Sequence, residues 1–166
     1  MAKVKKQFIE LSFERVIIVN AFRWIPAYLF EQVKDYDFSM GQLLKLGASV
    51  CGDPLTYIYV LTDERRLIKG VLWARVDYVD EIFGVYLLSV DKQYQSGDVI
   101  GECLKFMREL RDTERPKLLK GWGINLKNKI RIITDRPAAY EKAGFKKSKR
   151  MIMEIDEDVR MDEQAQ

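Results

Sequence analysis

The 166-residue sequence contains no histidine. That absence removes a Ser-His-Asp triad, a Cys–His nucleophile pair and an HExxH zinc site, all of which need imidazole. Cysteine is almost as scarce. Cys51 and Cys103 alone cannot build a disulfide framework or a four-thiolate metal site, so no metal is expected. No run approaches the roughly 20 consecutive apolar residues of a membrane helix. Met1 to Glu10 carries lysines but no apolar leader with a small-residue cleavage site. The expected setting is a reducing cytoplasm, with both thiols free and no membrane partner. An excess of one charge is missing too: 28 basic and 25 acidic residues leave +3, too even for the stripe of a nucleic-acid binder. The clusters Lys3-Lys5-Lys6 and Lys146-Lys147-Lys149-Arg150 read as solvated surface and strand-edge protection. No repeat, low-complexity tract or Gly/Pro/Ser linker divides the chain. A single domain over residues 1–160 is expected, with 161–166 a frayed acidic tail and a monomer or homodimer as the assembly.

What is present is apolar and aromatic: 48% hydrophobic residues, with eight Phe, eight Tyr and three Trp, enough for a real core. Residues 15–19 read as a strand, and Ala21–Val33 as a helix with Pro26 in its first turn. Ser39 is placed to cap a second helix that ends at Gly52. Thr56–Leu61, Leu67–Val79 and Ile82–Val90 then read as an antiparallel meander. The last of these is almost wholly apolar, as a strand covered on both faces should be. The period changes from 2 to 3.6 after Asp98. Val99, Ile100, Cys103, Leu104, Phe106, Met107 and Leu110 share one helical face, and Arg115-Pro116 bounds that helix. Residues 117–128 fit no single pattern. Lys129–Thr134 alternates as a strand, Arg136–Ala143 is a short helix ended by Gly144, and Phe145–Ile155 holds a last strand. A strand–helix–strand crossover of this kind implies a parallel pair.

The unit from Tyr86 to Met107 is where chemistry is expected. A buried strand runs through a polar loop with Ser96 and Gly97 into a helix whose first turn holds Gly101. The first N–H groups of a helix have no internal acceptor, and small residues let an anion approach them. Other candidates are weaker. Cys103 reads as a small core hydrophobe. Trp24, Trp73, Tyr57 and Tyr59 read as core or groove lining.

Two segments carry a family resemblance. Tyr140-Glu-Lys-Ala-Gly-Phe145 resembles the C-terminal signature of the GNAT superfamily, the acyl-CoA-dependent N-acyltransferases, and Val90–Leu104 (VDKQYQSGDVIGECL) resembles its cofactor loop. The resemblance implies an α/β (α+β) fold, with a mixed, mostly antiparallel central sheet flanked by helices. It implies acetyl-CoA as co-substrate and a primary amine on a small molecule or protein as acceptor. Gln95, Ser96, Gly97, Asp98, Val99, Ile100 and Gly101 would wrap the pyrophosphate, and backbone groups of Leu88 and Val90 would pair with the pantetheine arm. Tyr140 would protonate the departing thiolate, and Glu81 or Asp80 would serve as base to the amine. The loop departs from the family pattern. Ser96 stands where glycine is usual, one extra residue precedes Gly101, and Asp98 brings a carboxylate to a phosphate loop, where it suits a helix N-cap. The alternative is therefore a catalytically inactive protein of this fold acting as a binding or structural module.

Overall fold

The computed structural model describes residues 12–16, 24–26, 28–31, 45, 47–48, 51–95, 99–134 and 136–149. They fall in two compact units, Met1–Asp135 and Arg136–Gln166. In the first, β1 (Ser12–Arg15), β2 (Thr56–Thr62), β3 (Ile68–Asp77), β4 (Ile82–Val90) and β5 (Ile130–Ile132) form one sheet in chain order. The first three junctions are antiparallel, and β4 and β5 run parallel. This is the mixed, mostly antiparallel sheet expected from the meander and crossover. Two helices of this unit have fully described spans: α1 (Tyr28–Glu31) and α2 (Val99–Trp122).

Two apolar clusters lie on the sheet's two faces. Tyr57, Tyr59, Leu61, Leu72, Ala74, Val76, Phe83 and Val85 meet Cys103, Met107, Leu110 and Leu118 of α2. Ile58, Val60, Val71 and Leu87 meet Ile25 and Leu29 around α1. Alternation along β2 and β3 sorts these residues, because successive side chains leave opposite faces. Aromatic contacts tie the first face together. Phe13 of β1 stacks on Phe106 at 4.0 Å, and Tyr59 meets the same ring edge-on at 4.8 Å.

The structure moves several expected boundaries. Strand β1 begins at Ser12, earlier than expected, and Val16 N–H still donates to Ile58 at 2.8 Å. Of the expected first helix, Tyr28–Glu31 is helical and 24–26 are not α-helical, while 21–23, 27 and 32–33 lie outside the described residues. Pro26 lies two residues ahead of Tyr28, its carbonyl accepting Leu29 N–H, and Trp24 is 78% exposed and so no part of the core. Helix α2 runs through Pro116, where an end was expected, to Trp122. Proline in a helix interior costs about 3 kcal/mol. The extra turns bury Leu118, worth about 1.5–3 kcal/mol, and form the Lys117–Glu114 pair at 2.7 Å. The helix ends where Gly123 takes φ +67° and donates to Leu119, a left-handed cap that glycine adopts without strain.

In the second unit, α3 (Pro137–Glu141) is shorter than expected, and Gly144 closes its turn at φ +93°. Residues 145–149 are irregular; Met151–Ile155, the end of the expected last strand, lies outside the described residues, as does Ser39 with most of its helix.

Candidate functional site

Strand β4 changes character at its midpoint. Trp73 of β3 pairs with Leu87 but Ala74 pairs with Val85, so Tyr86 is an extra residue, a β-bulge. The bulge reverses the alternation. Phe83 and Val85 face α2 before it, Leu88 and Val90 face α2 after it, and Leu87 turns to α1. An all-apolar strand such as IFGVYLLSV hides this slip, because both phases look buried.

The bulge also divides the strand's edges. Up to Val85 both edges are paired: β3 lies on one side, while Phe83, Gly84 and Val85 pair with Ile130, Arg131 and Ile132 on the other. Ile133 N–H adds a last bond to the Val85 carbonyl at 3.1 Å. Beyond that point β4 has no strand on this side among the described residues. Asp91 N–H donates toward β3, to Lys69, and the Ser89 carbonyl also points at β3 beside Gly70. By alternation the peptide groups of Leu88 and Val90 point the other way, into the open edge. The resemblance singled out these two residues. Val90's carbonyl already accepts the Gln95 side-chain amide at 2.7 Å, so Gln95 caps the strand end.

From there the chain enters a one-turn 3₁₀ helix, Lys92–Tyr94, capped by Asp91, whose Oδ1 accepts Gln93 N–H. Asp91 Oδ2 also accepts the Tyr28 hydroxyl of α1 at 2.8 Å. Burial first, then Asp91, raises that phenol to about 12, so it stays a donor. Ser96, Gly97 and Asp98 lie outside the described residues. Val99, Ile100 and Gly101 follow as the first turn of α2, where the leading N–H groups of a helix have no internal acceptor. Glu102 stands in that turn as well.

Glu81 sits at the opposite end of β4, about 30 Å along the strand from Val90. It has φ +55°, its carboxylate accepts Asn125 N–H at 3.0 Å and its carbonyl accepts Lys127 N–H at 2.8 Å. That is the work of a turn residue, and the carboxylate expected as a base is occupied in joining the β3–β4 turn to the segment after α2. Asp80 beside it accepts Arg131 Nη2 at 2.6 Å. In the second unit, Tyr140 packs edge-on against Phe145, ring centres 5.7 Å apart, and its carbonyl accepts Phe145 N–H at 3.1 Å. The YEKAGF segment therefore folds on itself around Gly144. Sequence reasoning missed the bulge, the Tyr28–Asp91 bond and the Arg131 cluster. The last had a faint signal, a lone arginine within an apolar strand.

Among the described residues no cluster of acidic or thiol side chains could hold a metal ion, and no helix is long and apolar enough to cross a membrane.

No protein-family model matches the sequence, and no curated protein does. Solved structures do match. A possible acetyltransferase from Clostridium difficile superposes with a TM-score of 0.65 at 12% identity, over 88% of this chain and 97% of that one. The aminoglycoside N-acetyltransferase AAC(6')-Iy in complex with CoA gives 0.64 at 11% identity, over 92% and 99%. Glucosamine-6-phosphate N-acetyltransferase from Arabidopsis thaliana gives 0.62 at 12%, over 89% and 99%. With the mixed sheet and its bulged, half-open β4, these likenesses establish that the chain has the GNAT fold.

Proposed function

We propose that the protein is an N-acetyltransferase that moves acetyl from acetyl-CoA to a primary amine by direct attack. The observation that carries this reading is the open edge of β4. The peptide groups of Leu88 and Val90 face away from β3 beyond the point where β5 stops pairing. Backbone groups in a sheet need partners, and an amide-bearing arm laid along this edge supplies them as an added strand would. The pantetheine of CoA carries two such amides. After β4 the chain passes through the loop Gln95–Asp98 to the first turn of α2 at Val99, Ile100 and Gly101, and these residues would receive the pyrophosphate, as the resemblance implies. Two structural neighbours of this fold are aminoglycoside and sugar-phosphate acetyltransferases, and one was crystallised with CoA.

When bound, acetyl-CoA supplies an activated thioester. This chain's part is to hold the thioester along β4 and to return a proton to the sulfur as the amine displaces it. Tyr140 is the proposed acid, on the strength of its segment's resemblance; a phenol is protonated at neutral pH and needs no histidine. Glu81, the base the resemblance implies, stands at the far end of β4 with Oε1 bonded to Asn125 N–H, so the proton the amine loses as it attacks passes to water. Calorimetric titration with acetyl-CoA tests the reading: binding is expected, and none at millimolar concentration would sink it. The second reading, a fold kept without catalysis, draws on the loop sequence, where Ser96, Asp98 and one extra residue depart from the family pattern. A melting temperature unmoved by CoA, with a stable protein partner in pull-down, would establish it instead.

A further inference from the structure

The parallel pairing of β5 with β4 covers only three residues, too few for backbone bonds alone to fix how the two strands diverge. Something must hold the closed end, or the open edge beyond Val85 has no defined width. Arg131 stands in that short pairing, opposite Gly84. Its Nη1 donates to Asp77 Oδ2 at 3.1 Å and its Nη2 to Asp80 Oδ2 at 2.6 Å. Asp77 ends β3 and Asp80 lies in the turn before β4, so one planar guanidinium pins β5 to the β3–β4 turn by two charge-assisted bonds. The pin is partly shielded: the side chains of Arg131, Asp77 and Asp80 are 31%, 27% and 15% exposed. The turn is itself fastened. Asp77 Oδ1 accepts the N–H groups of Val79 and Asp80, and Lys127 Nζ donates to the Asp80 carbonyl at 2.7 Å. Glu81 binds Asn125 and Lys127 beside it.

The geometry points to Arg131 as a positioning residue for acyl-CoA: anchored on Asp77 and Asp80, it locks the closed end of the β4–β5 junction and so sets the opening in which the pantetheine arm meets Leu88 and Val90. This rests on the acetyltransferase reading, and it adds a residue that touches neither thioester nor phosphate. Lysine cannot replace it fully, because a single ammonium lacks the fork that reaches both carboxylates.

The test compares wild type, Arg131→Gln and Arg131→Lys by two readouts: amide hydrogen exchange at Ile133, whose N–H closes the β4–β5 pairing on Val85, and calorimetric affinity for acetyl-CoA. Arg131→Gln is expected to speed exchange at Ile133 about tenfold, to leave the β2–β3 amides unchanged and to raise the acetyl-CoA dissociation constant about tenfold. Arg131→Lys should recover part of both losses. Unchanged exchange at Ile133 overturns the pin. Faster exchange with unchanged affinity overturns the positioning role and leaves Arg131 a structural residue only. A wild type that binds no acetyl-CoA overturns the functional reading and the positioning role together, while the exchange data still decide whether the pin exists. Should Arg131→Gln fail to fold, Asp80→Asn removes one of the two anchors and is read by the same measurements.

Discussion

Gly70 is where the sheet leaves no room for a side chain. It lies in β3, opposite Leu61 of β2 and Val90 of β4. A Cβ added there would stand 2.9 Å from the Ser89 carbonyl oxygen, 3.2 Å from Leu61 Cβ and 3.4 Å from its Cδ2. Neither neighbour can retreat freely. The carbonyl belongs to the strand paired with β3, and Leu61 is fully buried. Overpacking of this kind costs about 1–3 kcal/mol. Replacing glycine also narrows the unfolded ensemble, which returns about 0.4–1 kcal/mol where the backbone is compatible. Gly70→Ala should therefore destabilise by about 1–2 kcal/mol, lowering Tm by about 2–4 °C for each kcal/mol in a chain of this size. Urea unfolding should show a lower midpoint at constant slope. Gly121 is the internal contrast: it lies in α2, and its Cβ would meet nothing within 4 Å. Gly121→Ala should stabilise by about 0.5–1 kcal/mol through helix propensity. The two substitutions are the same chemically and should shift the midpoint in opposite directions. A Gly70→Ala protein as stable as wild type would refute the argument from close approach.

Tyr140→Phe should lower turnover with little change in CoA affinity, as steady-state kinetics and calorimetry would show; full activity would mean another acid or none. Cys103, raised to about 12 by burial and secondarily by Glu102, should stay a protonated, shielded thiol at pH 8. Iodoacetamide on the folded protein should thus reach Cys51 well before Cys103, and equal rates would contradict the burial. Asp53 sets a pH dependence. Burial alone would raise its carboxyl, but the Thr56 hydroxyl, the Leu55 N–H and Arg75 together hold it below 3.8. Its contribution is then complete above the unfolded value of about 3.9 and lost as pH falls through the lower folded value. Asp53→Asn should flatten the loss of stability below about pH 4 in denaturation at stepped pH, whereas curves parallel to wild type would exclude the effect.

Periodicity made the meander legible. Ile82–Val90 is the strand as expected, and β2 and β3 differ from expectation by one or two residues. Those strands are held by burial, and burial is written in residue type. The end of α2 was not legible, because local preference at Pro116 disagrees with what Leu118 gains by reaching the core, and only the packed structure weighs the two. The bulge at Tyr86 was hidden for the opposite reason: neighbours apolar on both sides give no phase to lose. The site divides in the same way. Leu88 and Val90 could be named only from the resemblance; the structure adds that their peptide groups face away from β3. Glu81 was named for its chemistry and its place before β4, yet its carboxylate is occupied by a turn that no sequence pattern announces.

The absence of histidine matters most at β4. A chain without imidazole has no side chain whose ordinary pKa lies near neutrality. In the proposed transfer, proton movement then falls to groups other than imidazole, and substrate binding can rest on groups that do not titrate. Strand β4 offers such groups. Its first half is held on both edges, with Arg131 and Glu81 fastening the turn below. Its second half keeps one edge of peptide dipoles open where the sheet would otherwise continue. The strand is thus held on both edges at one end and paired on a single edge at the other, where the Val90 carbonyl accepts the Gln95 amide. Peptide groups keep their polarity at every pH, so affinity for an amide-bearing ligand along Leu88 and Val90 should be flat across the neutral range. Any pH dependence of turnover then belongs to the proton-transfer groups and the amine acceptor, and a neutral-range slope in the affinity of phosphate-free pantetheine would show that a titrating side chain shares the edge.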